Sequence, residues 1–131
     1  AVVCFSLNRM EIINDSLGLE AGDSIIQHVA GRLNDFAIQA AKIRDEKTRY
    51  LITMSRKDTF NILISPLQVN EEESKIKMLF SILDEPFYLE QRGIRLTASI
   101  GVSVYRKDGE DIQVLLANAD AAMLKAKQFG G

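Results

Sequence analysis

The sequence lacks the features that mark secreted, membrane-spanning or nucleic-acid-binding chains. Cys4 is the one cysteine in 131 residues, so a disulfide framework within the chain is excluded and a reducing, cytoplasmic setting fits. There is no run of about 18 apolar residues that would predict a transmembrane helix, and no signal-peptide pattern. The formal net charge of −2 gives no reason to expect nucleic acid or an anionic membrane as a partner.

The composition is that of an ordinary globular domain. Apolar residues make up 47% of the chain, enough for a hydrophobic core, and charged residues of both signs make up 26%. We predict a single domain over residues 1–131. The chain opens on a strand-like run and stops at Gly130-Gly131, so we expect it to be a piece of a longer protein.

Hydrophobic periodicity predicts strands and helices in alternating groups. The predicted order is strand, helix, helix, strand, strand, helix, strand, strand, helix. The predicted elements are a strand within Val2–Leu7, a helix over Arg9–Leu17 closed by Gly18, a long helix opened by Gly22-Asp23-Ser24, strands Arg49–Ser55 and Thr59–Ser65, a helix after Asn70, strands Phe87–Gln91 and Ile94–Tyr105, and a helix over Asp111–Phe129. This order predicts an α/β (α+β) sandwich with a central, mainly antiparallel sheet flanked by helices.

The clearest single element is Ile94–Tyr105. Its even positions are apolar from Ile94 to Val104, and mostly small or polar residues alternate with them. This pattern predicts a strand in the interior of the sheet.

Three segments resemble the GGDEF (diguanylate cyclase-type) family. Ser6–Asp23 is similar to the family pattern D-x-D-x-F-K-x-I-N-D-x-x-G-H-x-x-G-D, Leu96–Val102 to T-x-S-I-G-V, and Asn118–Lys127 to N-A-D-x-A-M-Y-x-A-K. The resemblance implies a fold like that of class III nucleotide cyclases and a role in bacterial cyclic di-GMP signalling. It also implies a reaction that condenses two GTP molecules, held by two facing domains, with divalent cations such as Mg²⁺ on carboxylates.

The chain departs from the family at the positions that carry this chemistry. The signature G-G-(D/E)-E-F reads Arg56-Lys57-Asp58-Thr59-Phe60, and the acids of D-x-D are replaced by Ser6 and Asn8. The resemblance places metal carboxylates at position 6 and at Asp58, so Asp58 alone is left as a relict catalytic residue and metal ligand. Further replacements near the phosphates are Met10, Glu11 and Leu19. We therefore expect no bound cofactor and little activity.

Some family residues are retained. Asn14 and Asp23 match residues that hydrogen-bond guanine, although Asn14 could equally end a short helix and Asp23 cap the long one. Lys127 matches a phosphate-binding lysine, or is a solvated charge at a helix end. Asp58 could also be an ordinary turn residue. The inhibitory R-x-x-D motif is replaced by Lys47 and Tyr50, so we predict no product-inhibition site.

Several functions stay open. The first is a non-catalytic regulatory module beside an EAL-type phosphodiesterase or a sensor domain, which either binds GTP or only transmits conformational change. The second is a weakly active diguanylate cyclase, and the third is a purely structural dimerisation or spacer domain with no ligand. We interpret Cys4 and His28 as structural, and Arg56-Lys57 as a solvated turn rather than an anion site.

Overall fold

The chain forms one main β-sheet with helices on both faces. The computed structural model describes residues 1–43, 49–56, 58–65, 72–89 and 91–129. Its elements are β1 (Val2–Leu7), α1 (Met10–Leu17), α2 (Leu19–Ile43), β2 (Arg49–Arg56), β3 (Thr59–Ser65), α3 (Glu72–Ser81), β4 (Phe87–Leu89), β5 (Arg92–Ile94), β6 (Ala98–Ser103) and α4 (Ile112–Gln128).

The main sheet has the strand order β2-β3-β1-β6, and every pair in it is antiparallel. β1 therefore lies between β3 and β6, with Ser6 opposite Thr59 on one side and Ser99 on the other. β4 and β5 form a separate antiparallel pair. The predicted α/β class with a mainly antiparallel sheet is confirmed.

β1 is buried along its whole length because helices cover both of its faces. Alternate side chains such as Phe5 and Leu7 pack with Val29 of α2 in the larger core. Those on the other face, Val2 and Cys4, pack under α4 in a smaller core. A strand covered on both faces is apolar at successive positions, which explains the short apolar run at the start of the sequence.

α4 approaches the sheet closely at Gly101 of β6. A Cβ atom built on Gly101 would overlap the carbonyl oxygen of Ala119 and the amide nitrogen of Met123. Both of these are backbone atoms, which cannot rotate out of the way. Glycine is therefore what lets α4 lie against the strand, and α4 in turn brings Asp120 and Lys127 towards the end of β1.

Two predictions about element boundaries were wrong. The long helix begins at Leu19 rather than at Gly22-Asp23-Ser24. Gly18, with φ 95°, ends α1, and the chain re-enters helix directly, so that the N–H of Gly22 already donates to the carbonyl oxygen of Gly18 at 3.2 Å. Asp23 consequently lies inside α2 and does not cap it.

The predicted strand Ile94–Tyr105 is divided between β5 and β6. Residues 95–97 connect the small sheet to the main one, and the carbonyl oxygen of Thr97 accepts from the N–H of Asn8 at 2.9 Å. β6 lies at an edge of the four-stranded sheet rather than in its interior. The apolar alternation arises because one face of β6 packs on the larger core, through Ile100 and Val102, while Gly101 on the other face lies beneath α4.

Other predictions about local structure were confirmed within the described residues. The hairpin between β2 and β3 is present, as is the helix over 111–129, which Asp111 caps by accepting from the N–H of Gln113 at 2.8 Å. Asn70 and Lys57 lie outside the described residues. No helix within the described ranges combines the length and the apolar character needed to cross a membrane.

Candidate functional site

A cleft of about 490 Å³ opens where α1, α2 and the β2–β3 hairpin meet. It contains three of the four candidate site residues predicted from the sequence, Asn14, Asp23 and Asp58. The full lining is Met10, Glu11, Asn14, Leu19, Asp23, Ile26, Arg56 and Asp58. A cleft that mixes apolar side chains with a few polar groups is the usual form of a small-molecule site.

Asn14 lies against the backbone of α2 at Gly22. A Cβ atom built on Gly22 would lie 2.9 Å from Cγ of Asn14 and would overlap its Oδ1. Gly22 therefore leaves the space that the amide of Asn14 occupies, and Asp23 follows it directly in α2. This packing, and not helix capping, places the Asn14 amide and the Asp23 carboxylate at one cleft.

The strand ends beside the cleft carry a pair of buried hydroxyl groups. Ser6 on β1 and Thr59 on β3 are opposite each other in the sheet and are at most 1% exposed. Oγ1 of Thr59 lies 3.0 Å from Oγ of Ser6 and 3.0 Å from Oδ1 of Asp58. Because a hydroxyl carries one proton, Thr59 donates to one of them at a time, and the carboxylate is the stronger acceptor.

Asp58 is also close to the amino group of Lys127 at the end of α4. Nζ of Lys127 donates to the carbonyl oxygen of Leu7 at 3.2 Å and lies 3.7 Å from Oδ2 of Asp58. The Lys127 side chain is 30% exposed and has these internal partners, so it is not simply a solvated charge at a helix end. The lysine instead links α4 to the end of β1 and to the hairpin.

Arg56 forms an ion pair with Asp120 of α4. Oδ1 of Asp120 also accepts from Sγ of Cys4 at 3.8 Å. Burial, reinforced by the charge of Asp120, raises the pKa of the Cys4 thiol to about 11. Cys4 is therefore a buried neutral thiol, as predicted, while Arg56 has an ionic partner on α4 that the interpretation as a solvated turn did not include.

Asn8 is held at the other side of β1. Its Oδ1 accepts from Oγ of Ser99 at 2.8 Å, and its Nδ2 donates to Oγ1 of Thr97 at 3.0 Å. The amide is thus satisfied by neutral groups on both sides. A side chain held in this way is not aimed at a cation.

The residues present do not fit a magnesium site. Mg²⁺ needs near-octahedral oxygen ligands that include carboxylates. Here Ser6 and Thr59 hydrogen-bond each other, and the neighbouring carboxylate of Asp58 is shared between Thr59 and Lys127. Within the described parts of the chain, no group of three or more His, Cys, Asp or Glu side chains could hold a metal ion.

Sequence reasoning found the cleft residues but missed their partners. The Arg56–Asp120 pair joins residues 64 positions apart, and the Lys127–Leu7 bond joins residues 120 apart. Asp120 lies in the N-A-D segment, whose resemblance to the family was the one available signal. Lys47, which replaces the Arg of the family's inhibitory motif, lies outside the described residues, and His28 is exposed on α2.

Comparison with known protein families identifies one matching family over the whole length. The sequence model of the family described as "Diguanylate cyclase, GGDEF domain" matches residues 1–131. The chain is 32% identical over 130 residues to the cyclic di-GMP phosphodiesterase NbdA of Pseudomonas aeruginosa, covering 99% of this chain and 16% of NbdA. It is 30% identical over 130 residues to the bifunctional diguanylate cyclase/cyclic di-GMP phosphodiesterase MucR of the same organism, covering 99% of this chain and 18% of MucR. The chain thus spans less than a fifth of either relative.

Solved structures agree with this similarity. The GGDEF domain of YfiN (TpbB) from Pseudomonas aeruginosa superposes with a TM-score of 0.84 at 25% identity, covering 98% of this chain and 76% of that one. A sensory box/GGDEF family protein from Caulobacter crescentus superposes with a TM-score of 0.78 at 27% identity, covering 98% and 78% of the two chains. The similarity therefore extends over the sheet and the helices that form the cleft.

Proposed function

We propose, on the premise that this chain belongs to the GGDEF family of diguanylate cyclase domains, that it is a non-catalytic regulatory module of cyclic di-GMP signalling that binds a guanine nucleotide. The observation that carries the proposal is the buried hydrogen bond between Ser6 and Thr59. The family resemblance puts acids at both positions. Here two neutral groups satisfy each other in their place.

This arrangement argues against catalysis. Phosphoryl transfer depends on positioning and on neutralising the charge that develops on the transferred group. Each lost electrostatic element typically costs about 100-fold or more in rate. Three parts of the family site are changed at once. The hydroxyl pair replaces metal-binding acids, Arg56-Lys57 replaces the glycines of the hairpin, and Glu11 replaces a lysine near the phosphates. We expect no bound metal cofactor for the same reason.

Guanine recognition is the part of the family site that the chain retains. The amide of Asn14 offers both a donor and an acceptor, and the carboxylate of Asp23 accepts from N–H groups of the base. Both side chains line the same cleft. Such a pair can distinguish guanine from adenine without help from a metal.

The absence of catalysis is tested by incubating the chain with GTP and Mg²⁺ or Mn²⁺ and separating the nucleotides by chromatography. We expect no cyclic di-GMP above background. A weakly active cyclase is the alternative that the retained Asp58, close to Lys127, favours. Clear product formation that Asp58→Ala abolishes would establish that alternative and overturn the proposal.

The nucleotide site is tested by calorimetric titration with GTP and with ATP. We expect GTP to bind more tightly, and Asn14→Ala to remove this preference because it deletes the amide that reads the base. Asn34→Ala, the same change at an exposed position of α2 outside the cleft, is the matched control. If GTP and ATP bind equally, or if a folded Asn14→Ala variant keeps full GTP affinity, the purely structural role replaces this proposal.

The proposal also covers the setting of the module. NbdA is named as a phosphodiesterase and MucR as a bifunctional enzyme, and the chain matches only a small part of each. We expect an EAL phosphodiesterase or a sensor domain beside this one in a longer protein, in which this domain lies in the cytoplasm whether or not the parent is anchored in a membrane. We expect a homodimer as the assembly that two facing GGDEF domains would form. Sequencing the parent gene on both sides tests the first expectation.

A further inference from the structure

The cleft that contains Asn14 and Asp23 is acidic. Glu11, Asp23 and Asp58 contribute carboxylates to its lining, whereas Arg56 is the one basic residue among the described lining residues. A triphosphate carries several negative charges into any site that it enters. Its binding therefore depends on whether cations near the cleft are available to meet it.

Two cations near the cleft, among the described residues, already have internal partners. Arg56 is paired with the carboxylate of Asp120, and Lys127 donates to the backbone of Leu7 beside Asp58. A phosphate that approached either side chain would compete with these partners for the positive charge. The charge of each cation is thus partly neutralised before any ligand arrives.

The N-terminal end of α1, which lies at the cleft, already carries the negative charge of Glu11. Glu11 lies in the first turn of α1, where the positive end of the helix dipole stabilises an anion. A phosphate placed there would share that end with the Glu11 carboxylate and would be repelled by it. The remaining lining, Met10, Leu19 and Ile26, is apolar and suits the faces of a purine ring.

From this charge pattern we infer that the cleft selects guanine ligands with few or no phosphates, guanosine and GMP, over GTP. The inference rests on the proposed guanine site and names its ligand class. An uncharged nucleoside meets the Asn14 amide and the Asp23 carboxylate without bringing a negative charge near Glu11 and Asp58. Each added phosphate increases the repulsion.

The test is calorimetric titration of the full chain with guanosine, GMP, GTP and adenosine in metal-free buffer. We expect guanosine and GMP to bind at least as tightly as GTP, and all three more tightly than adenosine. Added salt screens the repulsion between the triphosphate and the carboxylates of the cleft, so it should favour GTP binding. GTP affinity should rise between 20 and 200 mM NaCl, while guanosine affinity stays within about twofold.

A charge-reversal variant provides a second measurement. Glu11→Lys should strengthen GTP binding by about tenfold, or roughly 1.4 kcal/mol, and change guanosine binding by less than about twofold. Glu110→Lys makes the same charge change in the exposed loop before α4, outside the cleft, and should leave both affinities unaltered. A thermal melt of each variant controls for lost folding.

The outcomes separate the two proposals. GTP binding that is tenfold tighter than guanosine binding, or that weakens with salt, overturns the inference and leaves the guanine site intact. Guanosine and adenosine binding equally, or no binding of any of the ligands, overturns both. Guanosine binding with the expected salt and Glu11→Lys effects supports both.

Discussion

Returning a carboxylate to position 6 should destabilise the fold in a pH-dependent way. Ser6 is fully buried, and its Oγ is joined to Oδ1 of Asp58 through Thr59 by two contacts of 3.0 Å. Because both contacts share Oγ1 of Thr59, Oγ of Ser6 and Oδ1 of Asp58 lie within about 6 Å of each other. Two unit charges at that separation repel by about 3 kcal/mol when the effective dielectric constant is about 20. Ser6→Asp should therefore lower the free energy of unfolding by about this amount at neutral pH, since Lys127 beside Asp58 offsets part of the repulsion and the desolvation of a buried carboxylate adds to the cost.

The pH dependence follows from the sign of the pKa change. Burial and the charge of Asp58 would raise the pKa of the introduced carboxyl in the folded state above its unfolded value of about 3.9. The folded state then binds more protons than the unfolded state between those two values, so stability falls as pH rises through that window. The deficit is complete at pH 7 to 8 and largely disappears at about pH 4.

Thermal melts at pH 4.5 and pH 7.5 measure this effect. Ser6→Asn, which is similar in size and uncharged, is the matched control and should show no comparable pH dependence. At pH 7.5 we expect the melting temperature of Ser6→Asp to lie about 10 °C or more below that of the control. If the two variants melt within about 2 °C of each other at both pH values, the carboxylate of Asp58 is not close to position 6, and the reasoning about a closed hydroxyl pair fails.

Two further predictions concern the packing of α4 and the thiol beneath it. Gly101→Ala should lower the free energy of unfolding by about 2 to 3 kcal/mol because its methyl group meets the backbone of α4, whereas Gly31→Ala, with open space around it in α2, should raise it by about 0.5 to 1 kcal/mol; shifts of the same sign in chemical denaturation would contradict this packing. Cys4 should resist iodoacetamide at pH 8 in the folded protein, because burial raises its pKa to about 11, and should react once denaturant is added; rapid labelling of native protein, followed by mass spectrometry, would show that the thiol is accessible.

The sequence predicted the fold class and the cleft residues because both depend on local patterns. The alternation of apolar residues identified strands and helices, and the resemblance to the family placed Asn14 and Asp23 together. The start of α2 was missed because Gly18 both ends α1 and directly precedes the next helix, so the usual capping signals at Gly22-Asp23-Ser24 were misleading. Local helix propensity does not show that a second helix begins directly after the C-cap residue of the first.

Contacts between distant segments could not be predicted in the same way. The edge position of β6 depends on the order of strands in the sheet, which a single alternating run does not contain. The partners of Arg56 and Lys127 depend on how α4 sits on β1 and β6, and that seating is set by Gly101. From the sequence alone, Arg56 and Lys127 are therefore indistinguishable from solvated surface charges.

The hydrogen bonds and ion pairs near the β2–β3 hairpin show whether the residues that replace the family's acids and glycines have partners. Replacing acids and glycines at random in a buried site would leave polar groups without partners, and each such group costs about 1 to 3 kcal/mol. Among the described residues, the one buried side-chain atom without a partner is Oγ of Ser103, which lies opposite Val2, at the far end of β1 from Ser6. Near the hairpin, by contrast, Ser6 is bonded to Thr59 and Arg56 is paired with Asp120. The replacements near the hairpin therefore leave no buried side-chain atom of the described residues unsatisfied there, and the fold accommodates them without that penalty.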